Sequence, residues 1–360
     1  MLDVLKSWID THLSDEEALI MAVILGLLFV VILTMGAILA PVLISIVLAF
    51  VLQGVVNLFE KNRVPRWLSI MCTYVLFLGG FIAFLFFIVP IVWKQMQALY
   101  RELPDMILEA QEIMAALPQN YPDYISQRQV DSWADILNAE VGEFGQWILS
   151  ASLSQLPILV TFVIYMLLVP IFVFFFLKDK DELISWMMSF LPTRRPLMDR
   201  IGGEMNEQME NYVRGKFAEF LIIGGSTYLL FIAFGLEYAA LLAFLVGLSV
   251  IIPYVGFVAV TIPVVIIAYM QFGWGMTFVY LVLGYSALQA LDGFVLVPWL
   301  FSEANNLHPV AIIIAVLVFG SWWGVWGVFF AIPLATLIKA VMTAWPSTRS
   351  NRAAAAGESA

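Results

Sequence analysis

The sequence predicts an all-α fold, a polytopic membrane helix bundle of about eight transmembrane helices, with broken or re-entrant segments in its C-terminal half and a small external helical cap. Three observations carry this expectation. Of the 360 residues, 62% are hydrophobic and only 12% charged, against about 25% charged in an average soluble domain. Several uninterrupted apolar stretches exceed the roughly 18 residues that mark a bilayer span. Lysine and arginine also sort onto alternate connections, as they do in multi-spanning chains.

Spans are expected at about Leu19–Leu39, Pro41–Phe59, Leu68–Trp93, Leu156–Leu177, Phe217–Phe234, Tyr238–Tyr269, Met276–Leu300 and His308–Ala344. The N-terminal tail carries Asp3, Asp10, Asp15, Glu16 and Glu17 beside Lys6, the wrong charge for a signal peptide, so the first span is expected to be retained. With the N-terminus inside and eight crossings, fourteen of the seventeen basic residues fall on the inner side, and Lys94, Arg101 and Arg128 fall outside. That asymmetry predicts a multi-pass protein of a bacterial inner membrane with both termini cytoplasmic.

The organisation that follows is a tail and spans 1–3 over residues 1–93, an external helical region over 94–155, span 4 over 156–177, cytoplasmic amphipathic helices over 178–216, a C-terminal membrane core over 217–345 and a disordered tail over 346–360. In the external region Ile107, Ala110, Ile113 and Leu117, then Trp133, Ile136, Leu137, Phe144, Trp147 and Ile148, recur at helical spacing. Pro104, Pro118 and Pro122 are expected to divide it into short helices, a hairpin covering the bundle. The inner stretch opens with Leu183, Ile184, Trp186, Met187 and Phe190 beside Arg194 and Arg195, a pattern suited to a helix lying in the membrane interface. The helix after it, with Ile201, Met205, Met209 and Tyr212 on one face, is expected to run into the fifth span.

The core holds two segments of over 30 residues, Tyr238–Tyr269 and His308–Ala344. As straight helix each exceeds about 45 Å, against a hydrocarbon core of about 30 Å. Gly247, Pro253, Gly256 and Pro263 interrupt the first; Gly320, Gly324, Gly327 and Pro333 interrupt the second. Placing Ile262-Pro263 on Ile332-Pro333 sets Tyr238 beside His308, which indicates a weak internal repeat, although the glycines need a one-residue slip. Helix breaks at membrane depth are tolerated only inside protein or along a water-filled cavity, and paired broken helices point to a transporter site. The competing reading is kinked or re-entrant helices that only pack tightly, with Gly320 and Gly324 as a GxxxG contact.

Asp292 lies within Met276–Leu300, beside Gly293 and three residues from Gln289 on one helix face. A carboxylate at that depth costs about 2.5 to 3.5 kcal/mol on insertion scales, so it is expected to face a cavity or to bond a broken-helix backbone. Glu303, Asn305, Asn306 and His308 are expected at the external mouth of that helix, His308 before Pro309 as a helix-start residue more than a ligand.

Other chemistry is excluded by what the chain lacks. Cys72 is the single cysteine, so no intrachain disulfide or CxxC site forms. No GxxxxGK[ST], HExxH or GxSxG motif occurs, which argues against ATP-driven transport by this chain alone. The net charge of −10 gathers in the tail and one loop, so nucleic acid is not an expected partner. No cofactor is expected.

Lys178-Asp179-Lys180, Leu191-Pro192, Tyr212-Val213-Arg214-Gly215-Lys216, Ile252-Pro253-Tyr254-Val255-Gly256, Gln289 with Asp292-Gly293 and Pro298, Leu307-His308-Pro309, and Gly324 with Gly327 and Ala331-Ile332-Pro333 occur in that order. In these motifs, and over nearly its whole length, the chain resembles the autoinducer-2 exporter family. One departure is Phe294, where many members carry Asn after the acidic-Gly pair. The resemblance implies export of a small polar signal or sodium/proton antiport, and a homo-oligomer. Together the two lines of reading name Asp292, Gln289, Gly293, Pro253, Gly256, Gly324, Gly327, Pro333, Asn306 and His308 as lining a pathway for a small polar solute or monovalent cation. A third reading, a non-transporting scaffold whose cap and inner helix bind partners, stays open.

Overall fold

The computed structural model describes residues 16–120, 126–132, 135, 155–193, 195–253, 255–301 and 307–344. Every regular element among them is helical: α1 (Glu16–Lys61), α2 (Arg66–Ala83), α3 (Val89–Asn120), α4 (Gln155–Lys178), α5 (Lys180–Met188), α6 (Pro196–Phe234), α7 (Ala239–Ser249), α8 (Val255–Phe272), α9 (Met276–Leu291), α10 (Val297–Phe301) and α11 (Pro309–Ala344). Wide π turns join α2 to α3 over Phe84–Ile88 and α9 to α10 over Asp292–Leu296. Seven helical stretches among the described residues are long and apolar enough to cross a membrane, and the fold is an all-α polytopic membrane bundle.

The count differs from eight because Leu19–Leu39 and Pro41–Phe59 are one helix, α1, with Pro41 inside it. Only Ala40 stands between the two expected spans, too little chain to reverse direction, and proline within an apolar helix removes one hydrogen bond without forcing a turn. Ser45 Oγ donates to the Pro41 carbonyl at 2.6 Å and lies 3.2 Å from the Val169 carbonyl of α4, stitching α1 to its neighbour. The break expected at Trp93 is also absent. Pro104 and Pro118 lie inside α3 and do not divide it. Within the expected cap, Pro122, Trp133, Ile136, Leu137, Phe144, Trp147 and Ile148 lie outside the described residues, as does the tail after Ala344. The fifth span begins where expected to, as the continuation of the helix from Pro196.

Four buried apolar clusters form among the described residues. Val56, Ile70, Val169, Val173 and Leu177 bring α1, α2 and α4 together. Ile223, Phe231, Leu242, Ala243, Val246, Val264, Ile267, Ala268, Phe278, Leu281 and Tyr285 bring α6, α7, α8 and α9 together. Tyr212, Val213, Phe301, Ile312 and Ile332 form a third cluster, against which Val47 and Phe50 of α1 pack. On the stretch expected to lie in the inner membrane interface, Trp186, Met187 and Phe190 are exposed.

Tyr238–Tyr269 does not cross the bundle once. Helix α7 has 11 residues, about 16 Å, which is half of a hydrocarbon core. At its start the Glu237 N–H donates to Gln271 Oε1 at 2.8 Å, while Gln271 Nε2 donates to the Gly235 carbonyl at 2.8 Å. The beginning of α7 and the end of α8 therefore lie side by side, and the segment is a helical hairpin with 250–253 at its tip. Gly256 closes it: a Cβ there would strike the Ser249 carbonyl oxygen.

The second broken segment does the same. Gly324 has φ 59° and ψ −136°, outside any helical conformation. A Cβ on Gly327 would strike the Phe319 carbonyl oxygen, and one on Gly320 would lie 2.9 Å from Val328 Cγ2. Residues eight apart on a straight helix are about 12 Å apart. Ala315, Phe319 and Ala331 accordingly share one buried cluster. With Pro263 placed on Pro333, Ala239 falls on Pro309 and Ser249 on Phe319, so the first arms of the two hairpins coincide. The slip of the glycines follows from a turn one residue longer in the second unit.

A hairpin returns the chain to the end from which it entered, and this moves everything after it. Helix α9 therefore runs antiparallel to α6 down to Phe301, whose ring lies against Gly215 and 6.1 Å from the Tyr212 ring. Leu307 packs in the same cluster. His308 thus lies toward the Tyr212–Lys216 part of α6, the end that the charge pattern assigned to the inside. The expected external mouth at His308 is corrected on this ground; Glu303, Asn305 and Asn306 lie outside the described residues.

Candidate functional site

A cavity of about 580 Å³ opens where the first hairpin tip, α6, α8, the α9–α10 bend and both arms of the second hairpin meet. The tip contributes Ser249, Val250, Ile252 and Pro253, and α8 contributes Phe257 and Thr261. Helix α6 presents Tyr212, Lys216 and Glu219, which recur at helical spacing on one face. Tyr285, Gln289, Asp292 and Gly293 come from α9 and its π turn, and Ile312 and Ile332 from the second hairpin.

The polar groups fall into two sets. On one wall Gln289 Nε2 donates to the Tyr285 hydroxyl at 2.8 Å, the Tyr285 hydroxyl lies 3.0 Å from Thr261 Oγ1, and Thr261 Oγ1 donates to the Phe257 carbonyl at 2.7 Å. With its amide nitrogen used there, Gln289 keeps its carbonyl oxygen as an acceptor with no hydrogen bond among the described residues. The π turn begins three residues after Gln289, at Asp292, which lines the same cavity and whose Oδ1 is buried with no hydrogen-bond partner among the described residues. Buried carboxylate oxygens are almost always partnered, which sets Asp292 apart from the other polar groups of this cavity.

On α6 Lys216 Nζ donates to Glu219 Oε2 at 2.8 Å and to the Val250 carbonyl at 2.7 Å. Lys216 and Glu219 are only 8% and 2% exposed, which is rare for either residue type unless paired. The cavity therefore combines two carboxylates with one ammonium, and the ammonium is committed to Glu219.

Of the residues named from the sequence, Asp292, Gln289, Gly293 and Pro253 line this cavity. Gly256 closes the hairpin that supplies its tip, and Gly324 and Gly327 shape the second turn. Pro333 is buried in the second arm and does not line the cavity. His308 is exposed and its Nδ1 accepts from the Val310 N–H at 3.2 Å, the helix-start role that the His308-Pro309 pair suggests. Asn306 lies outside the described residues. Phe294, at the departure from the family pattern, adjoins the cavity with its side chain 84% exposed.

Sequence reasoning missed Lys216 and Glu219. The span boundary drawn at Phe217 placed Lys216 among interfacial cations. The available signal was an opposite-charge pair three residues apart at the head of an apolar run, on the same face as Tyr212.

Comparison with known proteins agrees with the motif reading. The chain matches the model of the AI-2E family transporter over residues 19–347. It is 44% identical over 347 residues to the candidate permease PerM of Escherichia coli strain K12, covering 96% of this chain and 98% of that one. It is 29% identical over 309 residues to the candidate transport protein YueF of Bacillus subtilis strain 168, covering 83% and 82% respectively. A second Bacillus subtilis candidate transport protein, YrrI, is 25% identical over 315 residues.

Proposed function

The chain belongs to the AI-2E transporter family, and from that premise we propose that it is a secondary transporter of a bacterial inner membrane, moving a small polar solute through the cavity beneath the first hairpin. Asp292 is the group that meets the solute, and Gln289 supplies a second acceptor beside it. The observation that carries this reading is Asp292 itself, a carboxylate at a helix break that lines the cavity and whose Oδ1 is buried with no hydrogen-bond partner among the described residues. An unpaired carboxylate in this setting is costly to fold around, and intramembrane carboxylates mark solute or ion routes. The arrangement favours solutes that donate hydrogen bonds, a furanone-type signal such as autoinducer-2 among them.

Purified protein in lipid vesicles, assayed against a panel of small hydroxylated solutes and monovalent cations, tests the reading. Asp292→Asn should abolish flux while leaving the protein folded in the membrane; undiminished flux would remove Asp292 from the pathway.

A second reading, sodium or lithium exchange for protons, is favoured by the pairing of Glu219 and Asp292 against a single ammonium in one cavity. It expects pH-dependent cation exchange that both Asp292→Asn and Glu219→Gln impair. Absence of flux for every solute and ion, with partners captured through residues 97–145, would support a scaffold instead.

A further inference from the structure

The first hairpin is attached differently at its two ends. Its base is held by four side chains on backbone or on one another. Gln95 Oε1 accepts from the Leu241 N–H at 2.7 Å, Gln271 bridges Gly235 and Glu237, and the Tyr238 hydroxyl donates to the Glu102 carboxylate. At the tip the helical hydrogen bonding runs out. The carbonyls of Gly247, Leu248 and Ser249 accept from the N–H groups of Val250, Ile251 and Ile252 in a tightening last turn. The next carbonyl, that of Val250, has the Lys216 ammonium as its partner. A cation is well placed there, since the C-terminal end of a helix carries partial negative charge.

Burying an ammonium needs several compensating partners. Lys216 has them on three sides: Glu219 Oε2, the Val250 carbonyl and the face of the Phe301 ring at 5.1 Å. These partners belong to three different elements, α6, the hairpin tip and α10. One side chain thus joins the tip to the helices that wall the cavity.

We infer that Lys216 is the positioning residue that pins the tip of the first hairpin over the cavity, and that the tip moves away from α6 only when the bond from Lys216 to the Val250 carbonyl breaks. The pin deepens the transport reading, because a tip that swings is what would open the cavity. It does not need a transported solute to be observed.

The test follows tip exposure in the full chain reconstituted in lipid, with Cys72 replaced by Ser. Ile252→Cys, on the cavity side of the tip, reports its position, and Glu237→Cys, at the exposed base, serves as the reference. Maleimide labelling of Ile252→Cys should accelerate about tenfold in Lys216→Met, the scale of one lost hydrogen bond to a charged group, with the Glu237→Cys rate unchanged. Lys216→Arg, which keeps a cationic donor, should hold the slow rate. If Lys216→Met is not recovered from membranes, Glu219→Gln takes its place and should accelerate tip labelling severalfold. Unchanged tip labelling in the variant tested, equal acceleration at tip and base, or a Lys216→Arg rate matching that of Lys216→Met would overturn the inference. Flux measurements are separate: loss of all transport with an intact pin would reject the transport reading alone.

Discussion

The two hairpins share a backbone device and differ in what surrounds their tips. Each has a first arm of matching register, from Ala239 or Pro309, and each is closed by a glycine pressed against a carbonyl of that arm, Gly256 on Ser249 and Gly327 on Phe319. The first tip faces polar groups: Lys216 takes its Val250 carbonyl, and Ser249 and Pro253 line the cavity. The second tip is aromatic. Trp322 meets Phe29 edge-on at 5.4 Å, and Trp323 lies against Gly36 of α1. The difference teaches that a helix break in an apolar bundle can be stabilised either by capping its carbonyls or by burying its turn under rings. Among the described residues the capped tip is the one bonded to a buried charge, and the polar groups of the cavity gather beside it.

The largest expected effect tests what the hairpins share. Gly256→Ala and Gly327→Ala should each destabilise the protein by about 3 kcal/mol, because the new methyl meets a backbone carbonyl that cannot turn aside. Thermal unfolding in detergent should show both losses. A harmless Gly327→Ala would mean that the second segment does not close as the first does.

A middle-sized effect probes the polar wall beside the first tip. Tyr285→Phe removes the hydroxyl between Gln289 and Thr261, and should raise the KM for the transported solute roughly fivefold, about 1 kcal/mol. Unfolding temperature should change little. A fall in stability without change in KM would make this wall structural.

The smallest effect is expected at the second tip. Trp323 Nε1 is buried with no hydrogen-bond partner among the described residues. Trp323→Phe keeps a ring there and removes the orphaned donor, so the change should be neutral or stabilising by up to about 1 kcal/mol, with flux unaltered. Reduced flux would show that the aromatic tip takes part in transport and would erase the contrast between the hairpins.

Much of this arrangement can be read along the chain because its causes are local. Pro253 with Gly256 and Gly324 with Gly327 announce helix breaks at their own positions, since proline lacks an N–H and glycine permits close approach and positive φ. Asp292 stands out because a carboxylate in a long apolar run has few tolerable environments. Residue order also suffices for the family and for the all-α membrane class. Pro41 misled for the converse reason: a lone proline between two apolar runs reads as a boundary, yet α1 continues through it.

Apolar periodicity, helix-breaking residues and charge sorting determined, by themselves, a multi-spanning helical protein with two related broken segments and a carboxylate between them. Tertiary structure alone decided that each broken segment doubles back, that His308 lies toward the Lys216 end of α6, and that Lys216 and Glu219 belong to the site. The physical reason is that a break states where a helix stops but not which way the chain leaves. That direction is set by long-range contacts such as Gln271 on Gly235 and Lys216 on Val250. Likewise an Lys–Glu pair three residues apart looks the same in sequence whether water or protein surrounds it, and only packing against Val250 and Phe301 makes it a buried charge.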